Sequence, residues 1–153
     1  MTTDLRALFR DLVRMETVLW NRVDSRIDAE HGFPLAWLEV MRVVSTTPDC
    51  RVLDVAEALS ITVGGASKVV DKVEGGGWCR RLPNPSDGRS QLLQLTASGR
   101  QVLDAANATL GEVLEVYLGS AMPTPELIGL SSTVGKLRRH LINADRATAE
   151  ANR

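Results

Sequence analysis

A run of three glycines, Gly75 to Gly77, divides the middle of this chain. Residues without a Cβ lose so much backbone freedom on folding that a helix before them has to end there. Ala66, Val69, Val70 and Val73 recur at helical spacing behind a threonine suited to N-capping, which predicts a helix over Thr62 to Glu74. A second short helix, Val52 to Leu59, precedes it with Val55, Ala56 and Leu59 on its inner face, and Ser60-Ile61-Thr62 forms the hinge. The pair has the spacing of a helix-turn-helix. Beyond the glycines, Trp78 to Leu82 and Ser90 to Leu95 flank the Pro, Asn, Asp and Gly-rich stretch Pro83 to Arg89, the pattern of a β-hairpin with an extended tip. No other segment reads as a strand.

The flanking segments read as helices. Leu5, Leu8, Leu12, Leu19, Val23 and Ile27, with Phe9 and Trp20 beside them, predict one long helix over roughly Thr3 to Glu30. Gly32 suits its C-terminal cap, and Pro34 opens the next helix. That helix carries Leu35, Leu38, Met41 and Val44 as one stripe and ends near Thr46-Thr47-Pro48-Asp49. Thr96-Ala97-Ser98-Gly99 starts another, with Val102, Leu103, Ala106, Leu110, Val113, Leu114, Tyr117 and Leu118, until Gly119 to Pro125 breaks it. A last helix from about Pro125 into the 140s carries Leu127, Leu130, Val134, Leu137 and Leu141, and Ala144 to Arg153 is expected to fray. The fold class is mainly α with a small β-hairpin.

Composition narrows the function. With 153 residues and 44% hydrophobic content the chain can bury one domain's core, and at 4% aromatic that core must be aliphatic. The absence of a long apolar run or a signal-peptide core predicts a soluble, cytoplasmic protein that does not enter a membrane. Cys50 and Cys79 lack paired metal-ligand spacing and read as small hydrophobes in or beside the hairpin, so no metal or cofactor is expected. His31 and His140 stand apart from any nucleophile motif, and Gly75 to Gly77 end a helix where a phosphate cradle would begin one, so the chain does not read as an enzyme. The net charge is only −1, but residues 60–101 hold six basic against three acidic residues, a surplus of three that leaves the remainder at −4.

From Ile61 to Arg100 the chain reads ITVGGASKVVDKVEGGGWCRRLPNPSDGRSQLLQLTASGR, and here it resembles the MarR family of bacterial winged-helix regulators. Ser67 to Glu74 resembles the family's recognition helix, Gly77 to Arg81 the strand after it, and Asp87-Gly88-Arg89 the wing tip. Leu95, Thr96 and Gly99 resemble the start of the helix leaving the wing. The resemblance implies a winged helix-turn-helix lobe over residues 34–100, with dimerisation helices at 1–33 and 101–153, in a homodimer on palindromic double-stranded DNA that usually represses transcription. Physical chemistry supports that surface: a helix starting at Thr62 can enter the major groove with Thr62, Gly64, Gly65, Ser67 and Lys68 leading. Lys72 lies one turn further on, and Arg89 at an exposed tip suits a narrow minor groove. Arg80 and Arg81 alternate in direction along a strand, so one of them, assigned as Arg81, contacts the DNA backbone; Asp87 pairs with an arginine to hold the tip.

Gly64 and Gly65 depart from the family, which usually carries larger residues there, and Gly75 and Gly76 stand where basic or polar residues are common. Specificity then rests more on DNA shape and on Lys68. Family members also commonly answer to small, often aromatic and anionic effectors bound between the dimer helices and the DNA-binding lobe, and Trp20, Trp37 and Glu39 fall near that junction. A tryptophan on an apolar helix more often serves packing. The alternative function is a winged helix used for protein contact, which the near-neutral charge and the recognition-helix glycines favour.

Overall fold

The computed structural model describes residues 4–151, and side chains for residues 4–144. The expected start of the first helix at Thr3 lies outside the described residues. Six α-helices and one hairpin follow in the order α1 (Leu5–His31), α2 (Leu35–Thr46), α3 (Val52–Leu59), α4 (Val63–Gly75), β1 (Cys79–Pro83), β2 (Gln91–Leu95), α5 (Ala97–Leu114) and α6 (Thr124–Ala151). A π-helical turn, Glu115–Gly119, extends α5. It continues the helix expected through Leu118 but shifts each carbonyl's partner by one residue, as in Ser120 N–H to Glu115 at 2.9 Å. The chain forms two compact units, residues 1–113 and 114–153.

Local chemistry sets most boundaries. The Asp4 carboxylate accepts from the Arg6 and Ala7 amides at the head of α1, and Gly32 closes it in the left-handed region at φ 75°. Pro34 leads into α2, whose first amide, Leu35, donates to the Asp24 carboxylate of α1 at 2.7 Å. Arg51 and Asp54 cap α3, with the Asp54 carboxylate accepting from the Arg51 amide at 2.7 Å. The Thr62 hydroxyl accepts from Gly65 N–H and starts α4 as expected. Of the three glycines, Gly75 still belongs to the helix and Gly77 alone is left-handed, at φ 79°.

The core of the first unit lies among α2, α3, α4 and the hairpin. Leu38, Val40, Met41, Val55, Ala66, Val70 and Val73 are fully buried, with Phe33, Ile27 and both cysteines. The strands pair antiparallel, Cys79 opposite Leu95 and Leu82 opposite Leu92, and Leu93 N–H reaches across to the Cys50 carbonyl at 2.7 Å. Burial pushes both thiols up to about 11, so neither is a thiolate at neutral pH.

The long helix α1 behaves differently. Only Val23 and Ile27 are buried along its 27 residues, while Leu5, Leu8, Phe9, Leu12, Val13, Met15, Val18 and Trp20 are exposed. In the second unit α6 runs on through Ala151, past the expected fraying point at Ala144, and none of its described side chains is buried. Among the described residues no helix is long and apolar enough to cross a membrane.

Candidate nucleic-acid interface

Helix α4 and the hairpin beside it carry the residues singled out in the sequence. Thr62, Gly64, Lys68 and Lys72 are exposed on α4 and Arg89 is exposed at the hairpin tip; Gly65 and Ser67 are half-buried. Lys68, Lys72 and Arg89 have no ion-pair partner among the described residues. Gly65 sits against its own helix cap, since a Cβ there would lie 3.1 Å from the Thr62 hydroxyl. Gly64 has nothing within 4 Å of where its Cβ would be and a normal helical φ.

Arg81 is placed differently from the expectation. The pleat turns its side chain inward, leaving it 17% exposed, and its guanidinium pairs with Asp71 at 2.7 Å and with Glu74. The Glu74 carboxylate also accepts from the Arg81 amide at 3.1 Å. Partial burial works against the guanidinium's charge, but the two carboxylates outweigh it and raise its pKa. Arg81 thus clamps β1 to two consecutive turns of α4 instead of standing free for a phosphate, and it neutralises the acidic residues of α4. Arg80, the outward member of the pair, is exposed and donates to the Gln94 side-chain carbonyl at 3.0 Å.

Asp87 is also corrected. Its carboxylate accepts from the Arg89 amide at 3.0 Å, and no ion pair joins it to an arginine among the described residues. Asn84 acts alike, accepting from Ser86 N–H and donating to the Ser90 hydroxyl at 2.8 Å. Short polar side chains bond their own backbone more readily than they reach a distant guanidinium, so the tip is built from two such turns.

The hairpin base is locked to α5. The Thr96 hydroxyl donates to the Gly77 carbonyl at 2.7 Å and accepts from Gly99 N–H at 2.9 Å. A Cβ at Gly99 would fall 1.9 Å from the Trp78 carbonyl oxygen, so only glycine lets α5 start this close. Sequence reading marked Thr96 and Gly99 by resemblance but not for this reason.

The three residues assigned to an effector site are not gathered by any described contact. Trp37 is half-buried, stacked on Phe33 at 6.3 Å and edge-on to Trp78 at 5.7 Å. Trp20 is exposed on α1 and in none of the described ring contacts, and Glu39 is paired with Arg42 at 2.7 Å. Sequence reading missed a polar bridge nearby, in which buried Thr109 on α5 donates to Glu30 at 2.8 Å and is hydrogen-bonded to His31 Nε2 at 2.8 Å. The Thr109 bond, with the Arg26 guanidinium, holds Glu30 below its ordinary pKa.

Comparison with known proteins gives the same picture. Residues 35–91 match the model of the MarR family. The multiple antibiotic resistance protein MarR of Escherichia coli is 24% identical over 136 residues, 85% of this chain and 94% of that protein. In fold, the chain is similar to a MarR family transcriptional regulator from Streptomyces coelicolor, solved in complex with DNA, with a TM-score of 0.81 at 22% identity over 92% of this chain and 90% of that one. It is also similar to CouR of Rhodococcus jostii bound to p-coumaroyl-CoA, with a TM-score of 0.74 at 21% identity over 88% and 91% of the two chains. Residues 35–91, which contain the helix-turn-helix and most of the hairpin, form the domain that matches the MarR family, and the helices around it follow the fold of those solved structures.

Proposed function

We propose that this chain is a sequence-specific DNA-binding transcriptional regulator, a repressor, acting in the cytoplasm as a homodimer on a palindromic operator and catalysing no reaction. The observation that carries the reading is the charge arrangement on α4 and the wing: Lys68, Lys72 and Arg89 are exposed and unpaired, while Asp71 and Glu74 are neutralised by Arg81. In this reading residues 34–100 are the DNA-binding lobe. Thr62, Gly64, Gly65, Ser67 and Lys68 face base edges, Lys72 and Arg89 meet phosphate or the minor groove, and Asp87 shapes the tip. One lobe covers only a few base pairs, so two copies on half-sites about 34 Å apart supply the specificity. The apolar exposure of α1 and α6, within 1–33 and 101–153, supports self-association through those helices.

A small, aromatic and anionic effector that releases the operator is part of the same reading, supported by the likeness to CouR. Trp20, Trp37 and Glu39 are the candidates for its site.

The test is binding to the DNA upstream of the protein's own gene across a salt series. Binding should fall steeply with salt, and Lys68→Ala and Arg89→Ala should each weaken it about five- to tenfold and reduce the log–log salt slope by about 1, with helix content unchanged. If both variants bind as the parent does, the reading surface is misassigned. Salt-insensitive association with a protein would favour the protein-contact alternative.

A further inference from the structure

Between residues 34 and 100 the large apolar side chains that remain exposed are Leu53, Ile61 and Val63, at 44%, 43% and 51%, and all belong to the helix-turn-helix. Leu53 and Val63 line one open depression with Ser67, Arg81 and Arg89. Val63 is the first residue of α4, immediately after the Thr62 cap. Beside it stands Gly64, a residue type that disfavours helix relative to alanine. Nothing inside the lobe requires that glycine: its φ is ordinary and its missing Cβ would meet open space. Lacking a side chain there, the leading turn of α4 presents Val63 above bare backbone.

Arg89, exposed and without an ion-pair partner among the described residues, lines the same depression, and Lys68 and Lys72 stand exposed further along α4, so a polyanion that also offers an apolar group suits this end of the helix. Duplex DNA meets both conditions in one place, because the thymine 5-methyl is the apolar group displayed in the major groove. Resting on the DNA-binding reading above, we infer that Val63 is a specificity-determining residue that reads a thymine methyl in each half-site, with Gly64 allowing the backbone close enough for contact. Specificity lost with the missing side chains at 64 and 65 is thereby partly regained through apolar readout.

The experiment uses the full chain and duplexes selected from a random pool, resynthesised with deoxyuridine replacing one thymidine at a time. Deoxyuridine lacks only the methyl group. For the parent, one such replacement per half-site should weaken binding about fourfold, the equivalent of one buried methyl group. Val63→Ala, exposed and so neutral for folding, should bind the thymidine and deoxyuridine duplexes equally, whereas Lys68→Ala should keep the discrimination while binding both more weakly. Parent protein indifferent to uracil at every position, or Val63→Ala as discriminating as the parent, overturns the inference and leaves the DNA-binding reading intact. If no duplex is enriched, the DNA-binding reading falls and this inference with it.

Discussion

Two glycines of the wing region do different work. Gly77 supplies a left-handed residue that ends α4, whereas Gly99 has an ordinary φ and is needed for space, because the Trp78 carbonyl occupies the position of its Cβ. Gly99→Ala should therefore lower unfolding free energy by about 2–3 kcal/mol in urea, as overpacking against rigid backbone does. Gly64→Ala, with open space around it, should leave stability unchanged or raise it by about 1 kcal/mol. Equal losses at the two sites would mean that neither crowding nor its absence governs these positions. Both glycines look alike in a sequence. What separates them is a carbonyl 21 residues away from Gly99 along no local pattern, reachable only once the hairpin has folded back onto α5.

At the scale of elements, the relation of the recognition helix to its wing depends on Arg81. Its guanidinium joins β1 to Asp71 and Glu74, and the Glu74 carboxylate holds the strand's backbone as well. Helix and strand are thereby tied together at both side chain and backbone. Removing Arg81 leaves two unpaired carboxylates beside the surface proposed above to meet phosphate, so in that reading its loss acts through position and charge without the loss of a direct contact. A double-mutant cycle between Arg81→Met and Glu74→Gln should show a coupling of about 1 kcal/mol in stability, modest because Glu74 is 37% exposed. Additive losses would dissolve the clamp. Strand alternation predicted that one of Arg80 and Arg81 points outward, and the geometry selects Arg80.

The whole molecule is defined as much by what its helices leave uncovered as by what they bury. The first unit has a closed core, yet Leu5 and Phe9 on α1 are 73% and 66% exposed, and in the second unit Ile128 and Leu141 of α6 are 65% and 64% exposed. A stripe of this size on an isolated chain marks an interaction surface. Phe9→Glu should weaken self-association at least tenfold in sedimentation experiments, keep the lobe folded, and reduce DNA affinity in parallel because a single lobe reads too few base pairs. Unchanged sedimentation would place the contact elsewhere.

Periodicity and punctuation alone specified the six helices, the hairpin and most of their ends, because caps, helical stripes and turn residues act within a few positions of chain. Thr62, Gly32 and Pro34 do at the residue level what their chemistry predicts. Lys68, Lys72 and Arg89 were legible as a cationic group for the same reason: they lie on an element whose position follows from its own sequence. Tertiary structure alone decided which cations are neutralised, why Gly99 is a glycine, and which apolar stripes stay uncovered. Each of those outcomes depends on groups from distant segments meeting at van der Waals or hydrogen-bond distance, and no local pattern encodes that meeting.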